Sequence, residues 1–135
     1  MSGPAAEGIA RRILDRLGDA WNAGNGGAFG EPFAVDAEFV AIRGDHHRGR
    51  EAIGRGHQAL FDTIYQGSAV RYALLRARAL ADGVVLAHAR GELAAPTGPP
   101  AGEHTSTITL VLVRPDRDAG WRIAAFHNTL VVPPR

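Results

Sequence analysis

The triplet Ala81-Asp82-Gly83 separates two long β-rich runs, Ala69 to Leu80 and Val84 to Ala94, and leaves room only for a tight reversal. An Asp-Gly step between such runs is a strong short-range hairpin signal, so the two runs pair antiparallel. A third run, Thr105 to Arg114, follows the Pro/Gly-rich loop Ala95-Pro96-Thr97-Gly98-Pro99-Pro100-Ala101-Gly102. The fourth lies within Gly120 to Val132, bounded by Asp118-Ala119-Gly120 and Pro133-Pro134. The second half of the chain is thereby predicted as a four-stranded meander.

The first half has a different period. From about Ala5 to Ala23 the apolar residues Ile9, Ile13, Leu17, Ala20 and Trp21 recur at intervals of three and four, the stripe of an amphipathic helix that ends in Ala23-Gly24-Asn25-Gly26-Gly27. A short helix or helical turn over Ala28 to Phe33 follows. Glu38 to Ile42 then reads as a strand, with His47-Arg48-Gly49 as a short return. Gly49 to Gly67 is the second long helical pattern, with Ile53, His57, Leu60, Phe61 and Ile64 on one stripe.

Helices followed by strands predict an α+β fold, a curved and mostly antiparallel sheet wrapped around about three helices. Residues 1–135 form a single domain, since 135 residues bury one core rather than two. The space between a curved sheet and the helices on its concave side is a cone-shaped cavity, the default ligand site.

Composition limits the chemistry of such a site. There is no cysteine and no lysine, all 15 basic side chains being arginine, which removes thiolate nucleophiles, cysteine-bound metals and Schiff bases together. None of the three serines lies in a nucleophile elbow, and no phosphate loop or dinucleotide fingerprint is present, so no cofactor is expected. What remains is acid–base work by His, Asp, Glu and Tyr. A net charge of +1 with interleaved signs gives no case for nucleic acid. Without a run of ~20 apolar residues or a signal segment, no membrane association and a cytoplasmic location are expected.

Strand alternation puts Trp121, Ile123, Ala125, His127 and Thr129 on one face of the closing strand if no bulge intervenes. That face reads as the wall of the cavity, with the small Ala125 leaving room beside His127. His127 is either a pocket acid or base or a core histidine bonded to a backbone carbonyl. His57, on a buried helix stripe, needs a partner or a pocket. The two imidazoles share one cavity if the helix crosses the last strand. Trp21 and Phe61 read as core that also lines the pocket, and Tyr65 and Asn128 as groups that orient a carbonyl or hydroxyl. His88, Arg90 and Glu92 alternate on one strand and read as a solvated or dimer-facing row. His104 reads as solvated. Asp45-His46-His47 is a poor metal site, because neighbours on an extended segment point apart and no third ligand is evident.

The order of elements, with Asp19-Ala20-Trp21-Asn22-Ala23-Gly24-Asn25, Phe33-Ala34-Val35-Asp36-Ala37-Glu38-Phe39, Arg48-Gly49-Arg50-Glu51-Ala52-Ile53 and Gly120-Trp121-Arg122-Ile123, resembles the nuclear transport factor two-like superfamily. Gly56-His57-Gln58-Ala59-Leu60-Phe61-Asp62-Thr63-Ile64-Tyr65 and Ala124-Ala125-Phe126-His127-Asn128-Thr129-Leu130 narrow the likeness to its SnoaL-like group and to SgcJ/EcaC-type proteins of enediyne and other polyketide biosynthesis. The ketosteroid isomerase pattern is not evident, as no tyrosine occurs in the first helix. The resemblance implies a cofactor-independent protein that binds a hydrophobic polyketide intermediate and catalyses cyclisation, isomerisation or dehydration, or else a binding or scaffold protein. The residues themselves then assign a catalytic His127 and His57, substrate contacts from Trp21, Phe61, Tyr65, Ala125 and Asn128, and no metal, while apolar residues on both strand faces, Val84 and Leu86 against Val85 and Ala87, imply a homodimer through the sheet.

Overall fold

Glycines set the close approach of the second and third helices. A computed structural model describes residues 3–98 and 100–134, leaving Pro99 of the predicted loop outside the described residues. Helix α1 (Gly3–Asn22) buries Ile9, Ile13, Leu14, Leu17 and Trp21 along the predicted stripe. The short helix α2 (Gly26–Gly30) begins at Asn25, whose side chain accepts from Ala28 N at 3.0 Å, a cap that pairs an otherwise orphaned donor. It starts earlier than the sequence suggests because the cap residue lies within the glycine-rich stretch. Helix α3 (Arg50–Phe61) crosses α2 so closely that a Cβ at Gly26 would collide with Gly54 O. Gln58 of α3 seals the crossing, accepting from Gly26 N at 2.8 Å and donating to Gly24 O at 3.2 Å. The residue beside it is His57.

The strands are β1 (Phe33–Val40), β2 (His46–Arg48), β3 (Ala69–Ala81), β4 (Val84–Ala95), β5 (Gly102–Val113) and β6 (Arg122–Leu130). They form one sheet in the order β2-β1-β6-β5-β4-β3. The meander β3 to β6 is antiparallel throughout, as predicted, and β1 joins the far side of β6 in parallel. Strand β1 begins at Phe33 rather than Glu38, because Phe33 and Ala37 reach the core and extend the pairing backwards.

The inner face packs under the helices. Val85, Ala87, Ala89, Ile108, Leu110, Leu112, Ile123 and Phe126 are buried there, and Phe126 is stacked on Phe39 at 4.7 Å. Such an aromatic pair adds about 0.5–1.5 kcal/mol beyond its area. At the open end Asn22 locks α1 to β3, donating to Val70 O at 3.1 Å and accepting from Val70 N at 2.7 Å. The architecture is the expected α+β cone, a six-stranded sheet with three helices. No helix among the described residues is long and apolar enough to cross a membrane.

One irregularity changes which residues face the cone. In β6, Ile123 pairs with Leu112 and Ala125 with Val111, so Ala124 is an extra residue, a β-bulge. Alternation restarts beyond it in the opposite phase. Ile123 points inward, but Phe126, Asn128 and Leu130 follow it there, while Ala125, His127 and Thr129 face out. The expected wall Trp121-Ile123-Ala125-His127 therefore does not exist. Ile123 is core at 0% exposure, and Trp121 is half-buried beneath the guanidinium of Arg114, 5.1 Å from its ring centre.

Candidate functional site

A cavity of about 320 Å³ opens between the helices and the inner face of the sheet. Its volume falls in the range of small-molecule sites. Trp21, Phe29, Phe39, Leu60, Val70 and Leu93 give it apolar walls. The polar groups lie in three places: His57 and Tyr65 on the helical side, Tyr72, Ser106 and Asn128 on the sheet, and Arg43, Asp45 and His104 toward the exposed end.

His57 is 4% exposed and held on several sides by aromatic rings. It is stacked on Phe29 at 4.0 Å and meets Phe39 edge-on at 4.9 Å and Trp21 edge-on at 6.0 Å. Its Nδ1 lies 2.8 Å from Ile53 O, one helical turn back. A carbonyl only accepts, so Nδ1 carries the proton and Nε2 keeps a lone pair. No hydrogen bond to Nε2 is made among the described residues. Burial lowers the pKa to about 4, against the raising effect of the Ile53 bond and with a further lowering by His47. The ring is a neutral acceptor across the physiological range.

The sheet side owes its shape to the absence of one side chain. Tyr72, Gly91 and Ser106 are opposite one another on β3, β4 and β5. A Cβ at Gly91 would lie 2.8 Å from Ser106 Oγ and 3.4 Å from Tyr72 Cε1, so only glycine lets the Tyr72 ring lie across β4 toward the serine. Burial raises the pKa of Tyr72 strongly, and that of Tyr65 to a lesser degree against the charge of Arg43, which keeps both phenols protonated as donors. Asn128 enters from β6, opposite Ile108. Its amide oxygen Oδ1 is shut away from solvent without a hydrogen-bond partner.

Four residues singled out in the sequence thus meet at the cavity: His57, Trp21, Tyr65 and Asn128. Trp21 is fixed by its Nε1–H donating to Ser68 Oγ at 3.0 Å, and that hydroxyl donates to Tyr65 O at 2.7 Å. Three others are not there. Phe61 packs behind Trp21 at 5.0 Å as core, one position round the helix from the lining Leu60. Ala125 and His127 lie on the outer face with Thr107, Thr109 and Val111, because of the bulge at Ala124. His127 and His57 are on opposite sides of the sheet, so the proposed pairing of the two imidazoles fails.

His104, expected in solvent, lines the cavity with Nε2 donating to Pro100 O at 2.6 Å. The other histidines face elsewhere. His46 bonds Glu38 at 2.8 Å, His47 packs against Phe39 at 6.2 Å, and His88 lies 3.3 Å from Thr109 on the outer face. The row His88, Arg90 and Glu92 is outward as expected, with Glu92 bridging Arg71 at 3.2 Å. Tyr72 and Ser106 were not singled out in the sequence. Counting back from Ala81-Asp82-Gly83 would set Tyr72 against Leu93, but two bulges in β3 shift it to Gly91.

No family model matches the chain, nor does any curated protein. Solved structures do. A domain of unknown function with a cystatin-like fold from Nostoc punctiforme is 27% identical, with a TM-score of 0.86 over 98% of this chain and 81% of that one. An uncharacterized protein with the same fold from Caulobacter vibrioides is 28% identical, with a TM-score of 0.82 over 96% and 92%. A type 2 hexachlorocyclohexane dehydrochlorinase shares the architecture at 12% identity, with a TM-score of 0.82 over 95% and 86%. The chain has the cystatin-like fold, the fold of NTF2-like proteins.

Proposed function

We propose that the protein binds a hydrophobic, oxygenated small molecule of polyketide type in the cone cavity and moves a proton on it without a cofactor, in a cyclisation, isomerisation or dehydration. His57 is the acid–base group. The observation that carries this reading is its fixed tautomer: Nδ1–H is committed to Ile53 O and the Nε2 lone pair is unpartnered at an apolar cavity. A base needs such a lone pair within reach of the proton it takes. Asn128 and Tyr65 orient the ligand, and Tyr72 and Ser106 add donors to an oxygen that gains charge as the proton leaves.

The polyketide class rests on the likeness of Gly56 to Tyr65 and Ala124 to Leu130 to SgcJ/EcaC-type proteins. A shared fold does not fix a reaction, so the dehydrochlorinase supports only the suitability of the cone for proton abstraction. A homodimer through the outer sheet face and a cytoplasmic setting accompany the proposal. The half-buried Leu86, Val111 and Ala125 on that face support the dimer, which light scattering coupled to gel filtration tests.

Proton transfer is read directly by incubating the protein with an aromatic 1,3-diketone in deuterium oxide and following isotope uptake by mass spectrometry. Uptake above the buffer rate that is lost in His57→Phe supports catalysis. The weak basicity of His57 favours a second reading, a carrier that binds without turnover. Binding with uptake at the buffer rate selects that one.

A further inference from the structure

Several side-chain acceptors lining this cavity are offered no hydrogen bond among the described residues, and two of them lie away from its exposed end. One is Nε2 of His57, on the helical side; the other is Oδ1 of Asn128, on the sheet. The His57 ring lies against Phe39, which is stacked on Phe126, two residues before Asn128 on the same strand face. Two ring contacts, 4.9 Å from His57 to Phe39 and 4.7 Å from Phe39 to Phe126, therefore link the first acceptor to β6, and the second lies two residues on, about 7 Å along that strand. Of the two, Asn128 Oδ1 is the one fully shut away, and an unpaired buried acceptor costs about 1–3 kcal/mol, which a ligand donor that the amide turns to meet recovers on binding.

We infer that the cavity selects a ring-sized apolar molecule bearing hydroxyl donors, a phenol or an enol, with one O–H given to His57 Nε2 and a second to the Asn128 amide. This rests on the cavity being the ligand site, and names the class of molecule it takes. Ketones and ethers of the same shape offer no hydrogen to either atom and leave both unpaired. The phenol hydroxyls of Tyr65 and Tyr72 are donors for whatever carbonyl accompanies the hydroxyls, so a hydroxylated aromatic or enolised dicarbonyl fits both sets. The imidazole remains an acceptor at neutral pH because burial keeps it unprotonated.

Three probes of one shape test the inference: 2-methoxynaphthalene, 2-naphthol and 2,7-dihydroxynaphthalene, titrated calorimetrically into the full chain. The first hydroxyl is expected to tighten binding about tenfold over the ether, as one net hydrogen bond would, and the second to tighten it further. His57→Phe should erase the preference of 2-naphthol over the ether, and Asn128→Leu the gain from the second hydroxyl. If His57→Phe does not fold, the order of the three probes in the unaltered protein still decides. An ether bound as tightly as the phenol overturns the inference and leaves the cavity a ligand site. If none of the three binds, the cavity itself loses its assigned role.

Discussion

The imidazole of His57 lies flat on the phenyl ring of Phe29, centroids 4.0 Å and planes 25° apart, and is tied by Nδ1–H to Ile53 O. That arrangement leaves a proton no comfortable place on the ring. A charge there would sit among Phe29, Phe39 and Trp21 with one backbone carbonyl to stabilise it.

Stability should therefore fall on mild acidification. The unfolded chain takes up this proton near pH 6.5, the native one only near 4, so the unfolded state binds more protons between those values. Stability rises with pH across the window and is lost as pH falls from 6.5 through 4, in all by about 3 kcal/mol. Charge on His47 acts in the same direction. At pH 7 His57→Phe should be less stable by about 1–3 kcal/mol, because Ile53 O loses its donor. By pH 4.5 the gap should close. Urea unfolding at several pH values decides, and parallel curves for the two proteins would contradict a buried neutral imidazole.

A different outcome is expected for the histidine that the alternation of the closing strand singles out. His127 is exposed on the outer face, and its removal uncovers nothing buried. His127→Ala should change stability by no more than about 0.5 kcal/mol and leave probe binding in the cavity unchanged. A loss of cavity binding in this variant would mean that the strand is not bulged at Ala124.

These two histidines show what sequence alone conveys. The helical stripe placed His57 correctly inside, since a 3.6-residue period tolerates small errors and only asks which side is wet. The strand period is two, so one extra residue reverses every later side chain. Ala124 carries no mark of a bulge, being neither glycine nor unusual in context. The same applies to Tyr72: two silent irregularities in β3 move it from Leu93 to Gly91, where a missing side chain makes it part of the site. The cone was legible because element order, hairpin turn and apolar stripes agree; the floor was not, because register depends on irregularities that packing decides.

The α2–α3 crossing that seats His57 should be intolerant of a single methyl group. A Cβ at Gly26 meets backbone, Gly54 O and Gln58 N, and backbone cannot swing aside. Gly26→Ala should cost about 1–3 kcal/mol and weaken probe binding as α3 shifts. Gly27→Ala is the control: its Cβ meets only Asn25 Oδ1 at 3.5 Å, and alanine favours a helix by up to about 1 kcal/mol. Equal thermal stability of the two variants would show that the crossing is looser than the geometry states.

Asn128 carries the sharpest conflict between stability and function. Its Oδ1 is buried without a partner, while its neighbours on the inner face, Phe126 and Ile108, are apolar. A residue kept only for packing would be leucine, which has nearly the same shape and no polar atom to desolvate. Asn128→Leu should therefore stabilise the unliganded protein by about 1 kcal/mol, the penalty for an unmet acceptor being removed. The same change should weaken 2,7-dihydroxynaphthalene and leave 2-naphthol and 2-methoxynaphthalene bound as before, a trade expected of a group retained for its ligand. Denaturant midpoints and calorimetric affinities measured on one preparation separate the two effects. A variant that is destabilised and binds every probe as the parent does would assign Asn128 to the framework instead of the site.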